Sequence, residues 1–247
     1  MSGHSKWSQI KRQKAKTDAA KGATFSKVAR EIIVATRTSG TDPEQNFRLR
    51  TAIDKAKICG FPNDNIKRAI LKGSGGLECE ALEELTYEGY GPDGVAVLVL
   101  AMTDNRNRTA SDLRFYFSKN GGNLGENGCA NFLFEKKGVI TLNKENVKDG
   151  DELLLIAADA GADDIKESDD IYEVLTSPDE VMAVEQGLKK DNFTIESTEI
   201  SFLPINTIEI SDAETAKKIL KLLDMLESHD DVQQVFSNAD IKDEFLE

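Results

Sequence analysis

From Thr24 the apolar residues recur at helical spacing: Phe25, Val28, Ala29 and Ile32, continued by Thr36, form one stripe. Lys27, Arg30 and Arg37 are displaced from that stripe, so the pattern predicts an amphipathic helix that Gly40 stops. A second helix is expected from Asp42 as cap and Pro43 in the first turn, with Leu49, Ala52, Ile53 and Ala56 inward and an end before Gly60. Arg48, Thr51 and Lys55 share one side of it. A third, starting near Pro62, turns Ile66, Ala69 and Ile70 inward and Lys67, Arg68 and Lys72 outward, and stops at Gly73. Residues 23–76 therefore read as a small helical bundle with a cationic exterior. Residues 1–22 have almost nothing to bury and read as a basic, mobile arm.

After the Gly73–Gly76 linker the period changes from 3.6 to 2. Leu82 to Tyr90 and Val95 to Met102 read as a strand pair turning at Gly91, Pro92, Asp93 and Gly94. Thr109 is expected to open a helix through Ser118, and Cys129 to Phe134 to return as a strand. There follow strand Gly138–Leu142, helix Asp151–Ala160, strands Asp163–Glu167 and Ile171–Leu175, helix Asp179–Lys190 and strand Thr194–Phe202. That order, β-α-β-β-α-β, is the ferredoxin-like pattern. A strand at Thr207–Ile210, a helix at Glu214–Glu227 and a strand at Val232–Phe236 form too small a core alone, whereas joined to the earlier sheet they complete a second layered unit. The expected fold is thus α+β and multidomain: a helical bundle (23–76) and a discontinuous α+β domain (77–135 and 205–247), the latter carrying an inserted ferredoxin-like domain (136–204).

Charge sharpens the division. The whole chain carries −13, yet its first 72 residues hold 16 Lys and Arg against 6 Asp and Glu, and the rest 15 against 38. Association is steered by local fields, so a basic end on an acidic body can still meet a polyanion. The competing reading is that the basic end neutralises the acidic one within the molecule or a dimer. No apolar run is long enough to span a membrane. Residues 1–17 are basic and free of acids but have only Trp7 and Ile10 as sizeable apolar residues, which does not make a targeting helix, so cytoplasmic residence is expected.

Catalytic chemistry finds no foothold. His4 and His229 lack an evident nucleophile partner, no metalloprotease, hydrolase or kinase signature occurs, and the glycines at Gly73–Gly76 and Gly121–Gly128 miss phosphate-loop and dinucleotide spacing. Cys59, Cys79 and Cys129 lie far apart without a CxxC pair, which argues for free thiols and against a metal centre. No catalytic residue, metal or cofactor is expected. One polar cluster stands out, Thr103 to Thr109, where an apolar strand hands over to a helix. Thr109 with Asp112 reads as a capping box. Asn105, Arg106 and Arg108 form a second candidate site, because arginines in an acidic body suit bidentate contacts with phosphate or carboxylate.

The opening Gly3, His4, Ser5, Lys6, Trp7, then Ile10 and Lys11, followed by Phe25, Asp42, Pro43, Arg48, Leu49, Arg50 and the Thr103–Thr109 stretch, resembles the YebC family over essentially the whole chain. The family comprises bacterial proteins described as probable transcriptional regulators, and mitochondrial relatives that activate translation of a cytochrome oxidase subunit. The resemblance implies three domains, one inserted in another. Because the match begins at Gly3 it also implies a bacterial cytoplasmic protein. The expected function is non-enzymatic regulation of gene expression through nucleic acid: Lys6, Lys11, Arg12, Lys14, Lys16, Lys27, Arg30, Arg48, Arg50 and Lys55 hold the sugar-phosphate backbone and Trp7 stacks or wedges. Promoter DNA is the first reading and ribosomal RNA, met as a translation factor, the second. A protein-interaction module acting through the acidic body is the third.

Overall fold

The computed structural model describes residues 21–78, 81–168 and 170–245, and shows an α+β protein of several parts. Residues Phe134–Leu203 form one compact unit; the described residues before and after them form another.

The second unit begins with three helices, α1 (Lys21–Ser39), α2 (Phe47–Ile58) and α3 (Asn63–Gly73). Their shared core holds Ile32, Ala35, Leu49, Ala52, Ala56, Phe61, Ile66 and Ala69, with Phe25 edge-on to Phe61 at 5.2 Å. Lys21 and Gly22, expected in the arm, already belong to α1; the remainder of the expected arm lies outside the described residues. The start of α2 also differs from expectation. Asp42 caps only a turn, accepting the Glu44 N–H at 3.0 Å, and the helix begins after Asn46. Asn46 accepts the Leu49 N–H at 3.0 Å and donates to the Ala35 and Gly40 carbonyls, so its buried amide joins α2 to the end of α1. A carboxylate at that position has no N–H to donate, which is why the asparagine takes the cap.

The chain then enters β1 (Glu83–Tyr90) and β2 (Ala96–Thr103), an antiparallel pair closed by a turn in which Asp93 and Gly94 both have left-handed φ. Helix α4 (Arg106–Lys119) follows, then β3 (Asn123–Leu124), a short pairing on the β1 edge that its two residues do not announce. Helix α4 starts three residues before expectation. Its cap is Asn105, which accepts the Arg108 N–H at 3.1 Å, and Thr109 lies inside the helix. Cys129–Leu133 is not a strand; a short turn leads directly into the first strand of the other unit. After that unit come β8 (Ile208–Ile210), α7 (Ala213–Ser228), β9 (Val232–Ser237) and β10 (Ala239–Ile241). The main sheet runs β3-β1-β2-β9, and β8 pairs in parallel with β10. Val95, Val97 and Val99 pack with Leu113 and Phe117 of α4 and Ile219, Leu222 and Leu226 of α7. Opposite the Leu100–Ala101 step β9 has one extra residue, Gln233.

The unit Phe134–Leu203 comprises β4 (Phe134–Asn143), α5 (Gly150–Asp159), β5 (Asp164–Glu167), β6 (Ile171–Thr176), α6 (Val181–Lys190) and β7 (Ser197–Pro204), whose last residue falls just past the unit boundary. Its sheet order is β5-β6-β4-β7, the ferredoxin-like arrangement. Gly138 is required by the packing, since a Cβ there would lie 2.6 Å from that of Val181.

Candidate nucleic-acid interface

The polar side of α1 does not face outward along its whole length. Helix α7 ends at Ser228, where its last-turn carbonyls need partners from outside the helix and its dipole is negative. Lys27 donates to the Glu227 carbonyl in its last turn and Arg30 to the Asp230 carbonyl just beyond it, so two cations of α1 sit at that end. Arg30 also pairs with Asp231 at 3.1 Å.

Asp231 is 2 % exposed and is the centre of this region. One carboxylate oxygen accepts from Arg108 at 2.9 Å, the Thr109 hydroxyl at 2.8 Å and the Thr103 hydroxyl at 3.1 Å; the other faces Arg30. Burial alone would push this carboxyl up. The hydrogen bonds from Arg108, Thr109 and Thr103, with the charge of Arg30, outweigh burial and hold it below the ordinary carboxylate range. Arg108 in turn is held in its charged form by Asp231 and by Asp104, 2.7 Å away. Beside it, the His229 Nδ1 accepts the Asp231 N–H at 3.1 Å, which leaves Nε2 to carry the proton toward Asp112 at 3.2 Å.

The cluster therefore joins α1, the β2–α4 junction and the start of β9. Of the second candidate site, Asn105 is the helix cap and Arg108 is the partner of two carboxylates. Arg106 is exposed, and its carbonyl accepts from the Tyr87 hydroxyl at 3.1 Å.

Arg48 is likewise engaged. It forms a two-point pair with Glu84 of β1, at 3.0 and 2.7 Å, and meets Glu31 of α1 at 2.7 Å. Burial disfavours its charge, but these two carboxylates reverse the effect and raise its pKa. Arg50 lies over the Phe47 ring at 5.6 Å. Lys55 approaches Cys59, whose thiol burial pushes up while the lysine partly offsets the rise. Lys6, Trp7, Lys11, Arg12, Lys14 and Lys16 lie outside the described residues, as does Cys79.

The outward side of α3 is different. Lys67, Arg68 and Lys72 are exposed and have no carboxylate partner among the described residues. Only Cys59–Pro62 separates α2 from α3, with Gly60 left-handed at φ +76°. That connection has the length of a helix-turn-helix unit, in which the second helix is the one presented to a groove.

Asp231 had no local signal in the sequence. It stands 128 residues from Thr103, and acids at a helix end ordinarily read as solvated. The three α3 cations were legible as outward-facing from their period alone.

Comparison with known proteins extends over the whole chain. The TACO1/YebC N-terminal domain is recognised over residues 5–76 and the TACO1/YebC second and third domain over residues 82–239. A Desulfitobacterium hafniense protein named "Probable transcriptional regulatory protein" is 53 % identical over 244 residues, 98 % of this chain and 97 % of its own length. An Aquifex aeolicus protein of the same name is 52 % identical over 247 residues, 100 % of this chain and 99 % of its own. The crystal structure of a conserved hypothetical protein from Aquifex aeolicus superposes with a TM-score of 0.85 at 51 % identity, covering 94 % of this chain and 96 % of that one.

Proposed function

Because this chain belongs to the TACO1/YebC family, we propose that it is a non-enzymatic, nucleic-acid-binding regulator of gene expression that engages duplex DNA through its basic N-terminal domain. The names of its full-length relatives support the regulatory part of this reading. The observation that carries the binding part is the outward side of α3, where Lys67, Arg68 and Lys72 lack carboxylate partners among the described residues and follow α2 after a short connection. The binding role passes from the cations of α1 and from Arg48 of α2 to α3, since Lys27, Arg30 and Arg48 already serve the protein's own carbonyls and carboxylates. To reach a phosphate these three would first have to leave charge-assisted partners.

Together with the basic residues that precede α1, the α3 cations would neutralise about four to six phosphates, which gives a slope of log affinity against log salt of roughly −3 to −5. The test is a salt titration of the full chain on a duplex of about 20 base pairs. Replacing Lys67, Arg68 and Lys72 together by Glu should weaken binding and flatten the slope, whereas Arg48→Ala should leave affinity within about two-fold. An unchanged slope in the triple variant refutes the α3 interface. Tighter binding to an RNA duplex of equal length than to DNA refutes groove entry by α3 and moves the reading to ribosomal RNA, because the deep, narrow major groove of A-form RNA does not admit a helix.

A further inference from the structure

The residues after position 72 carry a net −23, yet within them α4 holds Arg106, Arg108, Arg114 and Lys119 against Asp112 alone. Arg108 is committed to Asp104 and Asp231, and Asp112 to His229. Arg106, Arg114 and Lys119 remain, each exposed and without a carboxylate partner among the described residues. Among them stands Phe115, 56 % exposed. The residues that fix α4 to the core are Thr109, Leu113 and Phe117 on the opposite side, with Tyr116 partly buried beside them, and Phe115 stands outside that cluster.

Ser111 and Ser118, four residues before and three after, are short and exposed, the Tyr116 ring lies 6.1 Å away, and Lys119 rests over the ring with its ammonium 5.4 Å from the centroid, a contact that a stacked base would replace while leaving the ammonium beside its phosphate. Helix α4 is packed against β1, β3 and α7, which makes this a rigid platform. No other large apolar side chain of α4 is exposed, so an apolar protein partner would find a single residue where it needs a contiguous patch. An acidic peptide would use the cations and leave the ring idle. One exposed aromatic flanked by cations that have no carboxylate partner among the described residues matches a base stacked on the ring with phosphates on either side, and the base must be unstacked from its own neighbours to reach it.

We propose that the outer face of α4 binds single-stranded nucleic acid, with Phe115 stacking on a base and Arg114 and Lys119 holding the adjoining phosphates. The site is separate from α3 and stands on the residues of α4.

The experiment measures binding of the full chain to fluorescein-labelled oligothymidylate and oligouridylate of about twelve nucleotides, with melting temperature recorded for every variant. Phe115→Ala should weaken binding by about 5- to 150-fold without changing the melting temperature, and Phe115→Trp should restore it. Arg114→Ala with Lys119→Ala should lower the salt slope by about 1.4. A 4-thiouridine oligonucleotide should crosslink within residues 106–119. Binding by Phe115→Ala within two-fold of wild type overturns the proposal, as do crosslinks confined elsewhere or a polyglutamate peptide that competes as well as the oligonucleotide. The α3 triple variant, assayed in parallel on duplex DNA, separates the two readings. Its failure to weaken duplex binding counts against α3 alone, and an unaffected oligonucleotide affinity in Phe115→Ala counts against α4 alone.

Discussion

Removing the Asp231 carboxylate should be among the most damaging single changes outside the apolar cores. In Asp231→Ala the Thr103 and Thr109 hydroxyls, both fully buried, lose their acceptor, and Arg30 loses its carboxylate partner, the one it has among the described residues. Breaking a buried pair costs about 3–5 kcal/mol. Two features reduce that figure: Thr109 keeps the Asn105 carbonyl at 3.2 Å and Thr103 keeps Thr109 at 2.9 Å, while both arginines can reach water. A loss of about 2–4 kcal/mol follows, a fall of roughly 4–16 °C in melting temperature for a chain of this size. Asp230→Ala is the control, because its exposed side chain has no such role and should change stability by about 0.5 kcal/mol or less. The pH dependence has a definite sign. A carboxyl held below its ordinary value of 3.8 stabilises the fold fully above that value, and the contribution is lost as pH falls through the lower folded-state value. The stability gap between wild type and Asp231→Asn should therefore narrow in acid. Calorimetry showing Asp231→Ala melting within 2 °C of wild type at neutral pH, or a gap that widens in acid, would refute the reasoning.

Other positions are expected to separate structure from binding. Arg106→Ala should leave melting unchanged and Arg108→Ala should lower it, so loss of complementation in a deletion strain by Arg106→Ala with an intact fold would mark that arginine as a ligand contact. Glu88 is buried and accepts the N–H groups of Gly128, Ala130 and Asn131, each at 2.7 Å. Burial pushes its carboxyl up, but those three donors hold it below the ordinary 4.5, so its contribution is full above that pH and lost as pH falls through the lower folded value. Chemical denaturation should show Glu88→Gln destabilised by about 2–3 kcal/mol at neutral pH, with the difference shrinking in acid. Gly122→Ala should cost at least about 1–3 kcal/mol, since the added Cβ would collide with the Tyr90 carbonyl and lie 2.9 Å from the Gly91 Cα, both backbone atoms that cannot rotate away.

Periodicity carried most of the architecture. The stripes of α1 to α3, the β1–β2 pair and the β-α-β-β-α-β run follow from patterns of burial that are local in the chain. Element starts were less legible where several capping residues compete: Asp42 and Asn46 both qualify, as do Asn105 and Thr109, and the choice is made by partners elsewhere in the fold. The same holds for charge. The basic excess of the first 72 residues calls for anionic or polar counterparts, but cannot show that the Glu227 and Asp230 carbonyls and Glu84 answer Lys27, Arg30 and Arg48. Lys27, Arg30 and Arg48 thus have partners within the molecule, as the competing reading allows, whereas the helical period alone turns Lys67, Arg68 and Lys72 outward.

The interrupted connectivity of the main sheet also imposes an order on events at the ribosome. Thr103 closes β2, and Asp231, which accepts its hydroxyl, follows 128 residues later. At the usual pace of synthesis, about 5–20 residues per second, the nascent β1–β2 pair waits roughly 6–26 s for β9. During that interval the whole of Phe134–Leu203 emerges with all its own strand partners and is able to complete its sheet first. Until β9 arrives, the β2 edge is unpaired and a template for other chains, so the nascent protein is most exposed to misassembly after most of its residues have been made.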